Sequence, residues 1–492
     1  MNIVELLQSE EGKTLEFKRD LSSPKNLLKT LVAFANTAGG QMIVGVDDRT
    51  RLPVGVEHPL DEEERLCNLI ADSITPRLVP NVEMTTVEGK TLLVVEVFLS
   101  GSRPHWLKAE GLENGVYVRL GCTNRQADRE LIAELHRSVE GIAFDEQPMP
   151  GLSVDDLDLA ALKALFRDRR DLGENDLLTL RLLIHDQKRL VPTKGGILLF
   201  GKERERYFPD AWVQCGRFVG KDKADIFDHI ELRDHLPQAV DSIMLFLKKH
   251  AMRRADFSNM RRKDVWSIPL GILREAVINA LVHTDYSQRG APIRIAFFDD
   301  RIEIENPGIL LPGMTIEDMK QGISKIRNPV IARVFRELNL IEQWGSGVPR
   351  MFREAAELGL PPLEILEIGM RLRFVVPLAE PLTIQAGKGQ VTPQVTPQVT
   401  PQVTPQVTPQ VTPQAERLLQ AIVGEMTREG LQTALRLKDR KSFRELYISP
   451  ALEGGFIETT IPDKPKSRLQ KYRLTERGER VLRELLEGGN EG

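Results

Sequence analysis

Four carboxylates stand near the start of the chain: Glu11 and Glu16, five apart in EGKTLEFK, and Asp47 and Asp48 closing the apolar run QMIVGV. Carboxylate oxygens are the hard ligands that Mg2+ or Mn2+ takes, and a pair of such ions activates water and stabilises the leaving oxygen of a phosphodiester. Spacing alone leaves a solvated acidic surface as the alternative, because Asp and Glu are mostly exposed. A second group lies in LREAVINALVH, residues 273–283, where Glu275, Asn279 and His283 recur every four residues and share one face of a helix. Ala276, Ile278, Ala280 and Leu281 are its apolar neighbours, so a polar stripe runs beside a core; a face that merely meets solvent is the alternative. The third group is basic. Arg440, Lys441, Ser442 and Arg444 open a helical pattern, and Lys464, Lys466, Arg468, Lys471 and Arg473 crowd one hairpin-like stretch. Such side chains reach base edges and phosphates, although a module used for protein contacts has the same outline.

The elements that must position these groups fall into several domains, since 492 residues exceed one ordinary core. Over 1–140 an α+β pattern is expected: a helix around 24–36, the strand QMIVGVDD, a helix near 61–74, and the strands TLLVVEVFL and GVYVRLG. Gly39-Gly40 permits a tight turn that would bring Asn36 and Thr37 near the carboxylates. Residues 154–263 read as a connecting α/β region containing the apolar strand GGILLFG. Residues 264–381 begin with the polar-striped helix and continue into the strands APIRIAFF and RIEIENPG, joined at Asp299-Asp300-Arg301. A six-fold QVTP repeat over 390–413, within a 382–414 linker, cannot be helical because every fourth residue is proline. Fully extended at ~3.1 Å per residue it would span up to roughly 75 Å. Over 415–486, three helical patterns and a hairpin with a basic tip follow the order of a winged helix-turn-helix.

The net charge of −4 and pI near 6.2 exclude a general polyanion-binding surface, so nucleic-acid contact must come from local basic patches. Cys67, Cys122 and Cys215 lack the paired spacing of a zinc site or disulfide framework, and no apolar run reaches the ~18 residues of a membrane span. A cytoplasmic protein without membrane contact, able to self-associate, is expected. GILLFGKE over 196–203 has the spacing of a phosphate loop, but its interior is apolar and Glu203 replaces the Ser or Thr that coordinates Mg2+; it reads as strand and turn, and no helicase motor is expected.

Three resemblances add to this reading. The ordered strings EGKTLEFK, AFANTAGGQMIVGVDD and GVYVRLGCTNRQA resemble the AlbA-like domain shared by bacterial regulators and Schlafen proteins. That resemblance implies nucleic-acid binding and, as in some animal members, an RNA endonuclease site at Glu11, Glu16 and Asp47 with Mg or Mn. Glu275, Asn279 and His283 resemble the N-box of GHKL ATPases, an α/β sandwich in which the Asn holds Mg2+ and the Glu positions water. DDRIEIENPG, GISKIRNP and EQWGSGVPRM resemble the ATP-binding C-terminal domain of bacterial RecG-like proteins. This implies ATP contacts at Asn279, His283, Asn306, Gly308, Arg327, Gly345 and Gly347, with Asn306-Pro307-Gly308 standing where the wider group has a DxGxG box. SRLQKYRLT is similar to the ends of winged-helix regulators. The leading expectation is a DNA-binding transcriptional regulator with an ATP-binding domain. A metal-dependent RNA or DNA endonuclease and a nucleotide-gated scaffold are the alternatives.

Overall fold

The computed structural model describes residues 3–169, 171–251, 253–256, 263–341 and 346–382, then 418–419, 421–422, 424–435, 443, 447–448, 451–452, 456–460, 471–475, 478 and 482. It divides into two units, Met1–Gly387 and Lys388–Gly492. The repeat over 390–413 lies outside the described residues.

In the first unit, the strands Leu15–Lys18 and Gly40–Val44 pair in parallel, Leu15 opposite Gln41, and Lys90–Val97 and Asn81–Val87 extend the sheet antiparallel. The parallel pair requires a crossover, supplied by the helix Pro24–Asn36. Pro24 fixes the first helical φ where no N–H is needed, and Leu27, Leu28, Leu31, Val32 and Phe34 are buried against the sheet. The helix stops at Gly39, at φ +75°, whose N–H donates to the Phe34 carbonyl at 2.8 Å. A Cβ on Gly39 would stand 2.8 Å from the Val97 carbonyl oxygen, so this turn needs glycine for conformation and for space.

A second, six-stranded sheet has the order Asp225–Leu232, Val213–Val219, Ile293–Phe297, Arg301–Pro307, Arg371–Pro377, Glu364–Ile368. Its first two strands come from the stretch expected to be a separate connecting region, and Val213–Val219 pairs in parallel with Ile293–Phe297 across the 263/264 boundary. The hairpin at Asp299-Asp300 forms as expected, Phe298 donating to the Arg301 carbonyl at 2.9 Å. The helices Leu236–His250 and Leu270–His283 bury Val240, Ile243, Ile272, Val277 and Leu281 in the core shared with this sheet.

GGILLFG is not a strand. Residues Lys194–Phe200 form a helix capped by the Thr193 hydroxyl, which accepts from the Gly196 N–H at 2.9 Å. A run apolar on every side has no periodicity to separate helix from strand, and burial from Ile197 to Phe200 removes the polar face that would have marked the helix. The glycines serve packing: a Cβ on Gly196 would lie 2.4 Å from the Leu182 carbonyl oxygen. No helix among the described residues is long and apolar enough to cross a membrane.

The second unit has a three-stranded sheet, Met426–Thr427 and Ile457–Thr459 flanking Lys471–Leu474. The helix Arg428–Ala434 is capped by the Thr427 hydroxyl, and Leu418, Leu431, Phe443, Ile448 and Phe456 are buried together.

Asp145, in the short turn Phe144–Glu146, caps a helix far along the chain. Its Oδ2 accepts from the N–H groups of Val330 and Ile331 at 2.8 and 3.0 Å, at the start of the helix Pro329–Glu337, while Oδ1 has no hydrogen-bond partner among the described residues. Burial pushes this carboxyl up to about 7, against the lowering by those two N–H groups. An unfolded Asp titrates near ~3.9, so the folded state holds the extra proton between about pH 4 and 7 and its stability falls as pH rises through that window. Asp145→Asn keeps an acceptor for the helix end and removes the titration. Melting temperatures measured from about pH 5 to 7.5 should therefore decline less steeply in this variant than in the wild type.

Candidate functional site

Of the N-terminal carboxylates, Glu11, Glu16 and Asp47 are each engaged. Glu16, on the strand Leu15–Lys18, is buried between two cations, Oε1 accepting from Lys18 Nζ and Oε2 from Arg119 Nη2. Arg119, in the strand Tyr117–Leu120, is also buried, and its remaining donors reach the Gly12 carbonyl at 3.1 Å and Asn124 Oδ1 at 3.0 Å. Glu11 Oε1 accepts from the Phe17 N–H at 2.8 Å, closing the loop ahead of the strand. Asp47 Oδ1 accepts from the Thr50 N–H and hydroxyl and from the Arg49 N–H; these bonds, those of Thr50 foremost, hold its carboxyl below the usual range. Its Oδ2 takes Arg19 at 3.0 Å. Among the described residues no group of three or more His, Cys, Asp or Glu side chains is arranged to hold a metal ion. With both Glu16 oxygens held by cations and Asp47 closing a turn, this donor set does not fit Mg or Mn as it stands.

The glycine turn does bring Thr37 to this place, through Arg119, whose N–H donates to the Thr37 hydroxyl at 2.9 Å. Asn36 instead pins two strands, donating to the carbonyls of His105 and Tyr117 at 2.9 and 3.0 Å and accepting from the His105 N–H.

The polar-striped helix builds a different site. Asn279 and His283, on Leu270–His283, line a cavity with Asn306 and Gly308 from the end of the strand Arg301–Pro307, and with Arg327. Leu310, Met314, Met319, Leu372 and Phe374 supply apolar wall, and Lys325 adds a second cation. Gly308 sits at φ +102°; a Cβ there would meet Asp285 Cβ at 2.9 Å and the Arg327 guanidinium carbon at 3.3 Å. Burial, aided by the Arg327 charge, pushes His283 down to about 4, so it faces the cavity as a neutral imidazole at ordinary pH. Asn306 is buried and neutral, its amide donating to the Pro307 carbonyl at 3.1 Å.

Glu275, two turns ahead of His283, accepts from Arg350 at 3.1 Å and from the Asn279 amide at 3.3 Å. Gly347 backs this carboxylate closely, since a Cβ on it would fall 2.0 Å from Glu275 Oε1. Gly345 lies outside the described residues. Arg327 differs from its expected role as a free phosphate-binding charge. It donates to Glu134 and to the Ile309 carbonyl, because a buried guanidinium stays protonated and must find acceptors inside the fold.

Sequence reasoning missed Arg119, Glu134 and Asp285. Glu134 carried a signal: with Leu131 and Leu135 it occupies the apolar face of the helix Arg129–Glu140, where a carboxylate requires a partner. Arg119 similarly interrupts the apolar string YVRL. In the second unit, Arg440, Lys441, Ser442, Arg444, Lys464, Lys466 and Arg468 lie outside the described residues. Lys471 and Arg473 are half exposed and ion-paired, with Glu425 at 3.6 and 3.7 Å and, for Arg473, Glu458 at 2.6 Å.

Comparison with known proteins gives three family matches. Residues 11–128 match the family "Schlafen, AlbA_2". Residues 290–376 match "Putative ATP-dependent DNA helicase recG C-terminal", and residues 413–475 match "Filamentation induced by cAMP protein Fic-like, C-terminal domain". Among solved structures, the chain is similar to a Corynebacterium diphtheriae protein at 20% identity, covering 98% of this chain and 97% of that one with a TM-score of 0.42. It is also similar to the N-terminal domain of a RecG-related protein from Nitrosomonas europaea, at 31% identity over 26% of this chain and 94% of that one, TM-score 0.22. A Fic family protein from Desulfovibrio desulfuricans is 16% identical over 71% of this chain and 77% of that one, TM-score 0.13. No curated protein matches.

Removing Arg119 leaves Glu16 Oε2 buried without its cation, Lys18 remaining on Oε1. Arg119→Ala should lower unfolding free energy by about 3–5 kcal/mol in urea denaturation, the usual result of breaking a buried pair from one side. A loss below about 1 kcal/mol, the range of surface pairs, would show that Glu16 reaches solvent.

Proposed function

For a chain that carries an AlbA_2 domain of the Schlafen kind and a RecG-like C-terminal ATPase-type domain, we propose a nucleic-acid-binding regulator whose ATP-binding cavity is of GHKL type. The observation that carries the reading is convergence. Asn279, His283, Asn306, Gly308 and Arg327 come from separate stretches of sequence and line one cavity. Its apolar wall suits a base, the neutral His283 and Asn306 offer hydrogen bonds without the desolvation of a charge, and Lys325 and Arg327 bring positive charge to the wall, although phosphate oxygens would have to compete with the Pro312 carbonyl for the one and with Glu134 for the other. Asn279 donates through its amide nitrogen, so its carbonyl oxygen would be the group to hold a Mg2+ brought in with the nucleotide. Such an ion would neutralise phosphate charge. Glu275, one turn before Asn279, is in position to orient water, but its ion pair with Arg350 favours binding over turnover in this state.

Nucleic acid is assigned to the AlbA_2 domain and to the C-terminal unit. In the C-terminal unit the sheet order and the core around Phe443 suit a winged helix over 415–486, with DNA as the leading partner and RNA the other. Its effect on transcription would follow from docking DNA at the end of the repeat linker. The engagement of Glu16 by Arg119 and Lys18 favours binding over cleavage at the N-terminal domain. The helix over Lys194–Phe200 leaves the phosphate-loop-like string without a loop to cradle phosphate.

Calorimetric titration of the full chain with Mg-ATP tests the cavity. Asn279→Ala should weaken binding at least about tenfold, equivalent to 1.4 kcal/mol. Wild-type affinity in that variant would overturn the assignment. Duplex DNA binding by the same protein should weaken steeply between low and moderate salt, as counterion release demands.

A further inference from the structure

The rim of the cavity is held from outside its own domain. Residues 308–314 follow the strand Arg301–Pro307 and form the lip, and the N-terminal domain holds them at one point directly and at two more through Glu367 and Arg327. Gly313 donates its N–H to the Thr37 carbonyl at 2.7 Å. Leu310 donates to Glu367 Oε1 at 2.8 Å, and the same carboxylate takes Lys13 at 2.8 and 2.9 Å. The Ile309 carbonyl accepts from Arg327, whose other terminal nitrogen donates to Glu134 on the helix Arg129–Glu140.

Two of these three anchors belong to the N-terminal carboxylate region. Thr37 also accepts from the N–H of Arg119, the partner of Glu16, and Lys13 lies three residues before Glu16. The third is electrostatically incomplete. Glu134 Oε2 and Asp285 Oδ2 are both buried without a hydrogen-bond partner among the described residues, and the Asp285 charge acts on Glu134 against the attraction of Arg327 and Arg137. An anion entering the cavity therefore competes directly with Glu134 for Arg327, which also walls the neighbouring interdomain cavity lined by Arg103, Arg137 and Glu134.

We propose that Glu134 is a positioning residue of the nucleotide cavity, setting Arg327 and, with Lys13 and Thr37, making the lip depend on the N-terminal domain, so that nucleotide and nucleic acid bind with linked affinities. The inference rests on the nucleotide reading of the cavity. Linkage is reciprocal: whatever factor nucleotide applies to nucleic-acid affinity, nucleic acid applies to nucleotide affinity.

The test uses the full chain, titrated with Mg-ATP at about pH 6 and pH 8, with duplex DNA affinity measured with and without Mg-ATP. Glu134→Gln retains an acceptor for Arg327 and removes the competing charge. At the higher pH the variant should bind Mg-ATP about 5-fold tighter than the wild type or more, the lower end of typical coupling. Burial sets the Glu134 carboxyl at about 7 in the folded protein, so its charge is lost as pH falls and the gap between wild type and variant should close at the lower pH. The groups facing Glu134 are Arg327, Asp285 and Arg137, with His283 beyond Arg327 already neutral over this range. Asp145 also titrates about 7 but faces the helix Pro329–Glu337, and Asp145→Asn run in parallel should leave the pH gap in place. In the wild type, DNA affinity should shift with Mg-ATP; in Glu134→Gln, and in Lys13→Met, which cuts the separate Lys13–Glu367 anchor, that shift should shrink or vanish.

If Glu134→Gln matches the wild type at both pH values and keeps the DNA shift, while Asn279→Ala still weakens nucleotide binding, the positioning role is overturned and the cavity reading stands. If the wild type binds no nucleotide, both are overturned. Should Glu134→Gln fail to fold, an undiminished DNA shift in Lys13→Met overturns the linkage by itself.

Discussion

A guanidinium buried behind a cavity stays charged at any pH the protein meets, so the fold must be built around satisfying it. Arg327 is in that position. One of its acceptors is a backbone carbonyl on the cavity lip and the other is a carboxylate from the N-terminal domain, while Gly308, confined to glycine by its φ of +102° and by Asp285 Cβ, lies beside the same guanidinium. Asp285 joins as a second carboxylate, and burial together with the Asp285 charge keeps Glu134 from ionising as freely as a solvent-exposed acid. The contact of Glu134 with the cavity wall follows from where this one cation was placed, and the same charge adds to the burial that keeps His283 neutral.

The same economy explains the N-terminal site. Arg119 and Lys18 bracket Glu16, and the turn residues around Asp47 use up its oxygens. A surface of this kind, with fixed paired charges and no convergent open carboxylates, presents shape and hydrogen-bond donors to a polyanion more readily than it presents a ligand set to a metal.

Much of this was legible in the sequence wherever the signal was local. Pro24 and Gly39 bracket a helix by conformational rule, Asp299-Asp300 turns a hairpin, and a four-residue recurrence put Asn279 and His283 on the face that meets the cavity. The signal failed where the deciding contact is distant or isotropic. The run after Thr193 is apolar all round, and only its burial between Leu182 and the helix at Pro329 made it helical and gave its glycines their purpose. Arg327 meets Glu134 across 193 residues of sequence, so its type showed a need for an acceptor but not where that acceptor would come from. The sheet that incorporates Val213–Val219 was hidden for the same reason, since its parallel partner Ile293–Phe297 lies across a long crossover rather than a short turn.

The turn between the helix Pro24–Asn36 and the strand Gly40–Val44 has one more consequence. It closes the parallel crossover of one sheet, and the carbonyl of its Thr37 receives the N–H of Gly313 from the other domain's lip. A hairpin on an open surface can gain or lose a residue with little effect, but inserting one here would break a crossover and a domain contact together. The two domains are therefore poor candidates for independent recombination: a graft that replaced either one would have to reproduce the length of this turn and the path of its backbone, whatever side chains it carried.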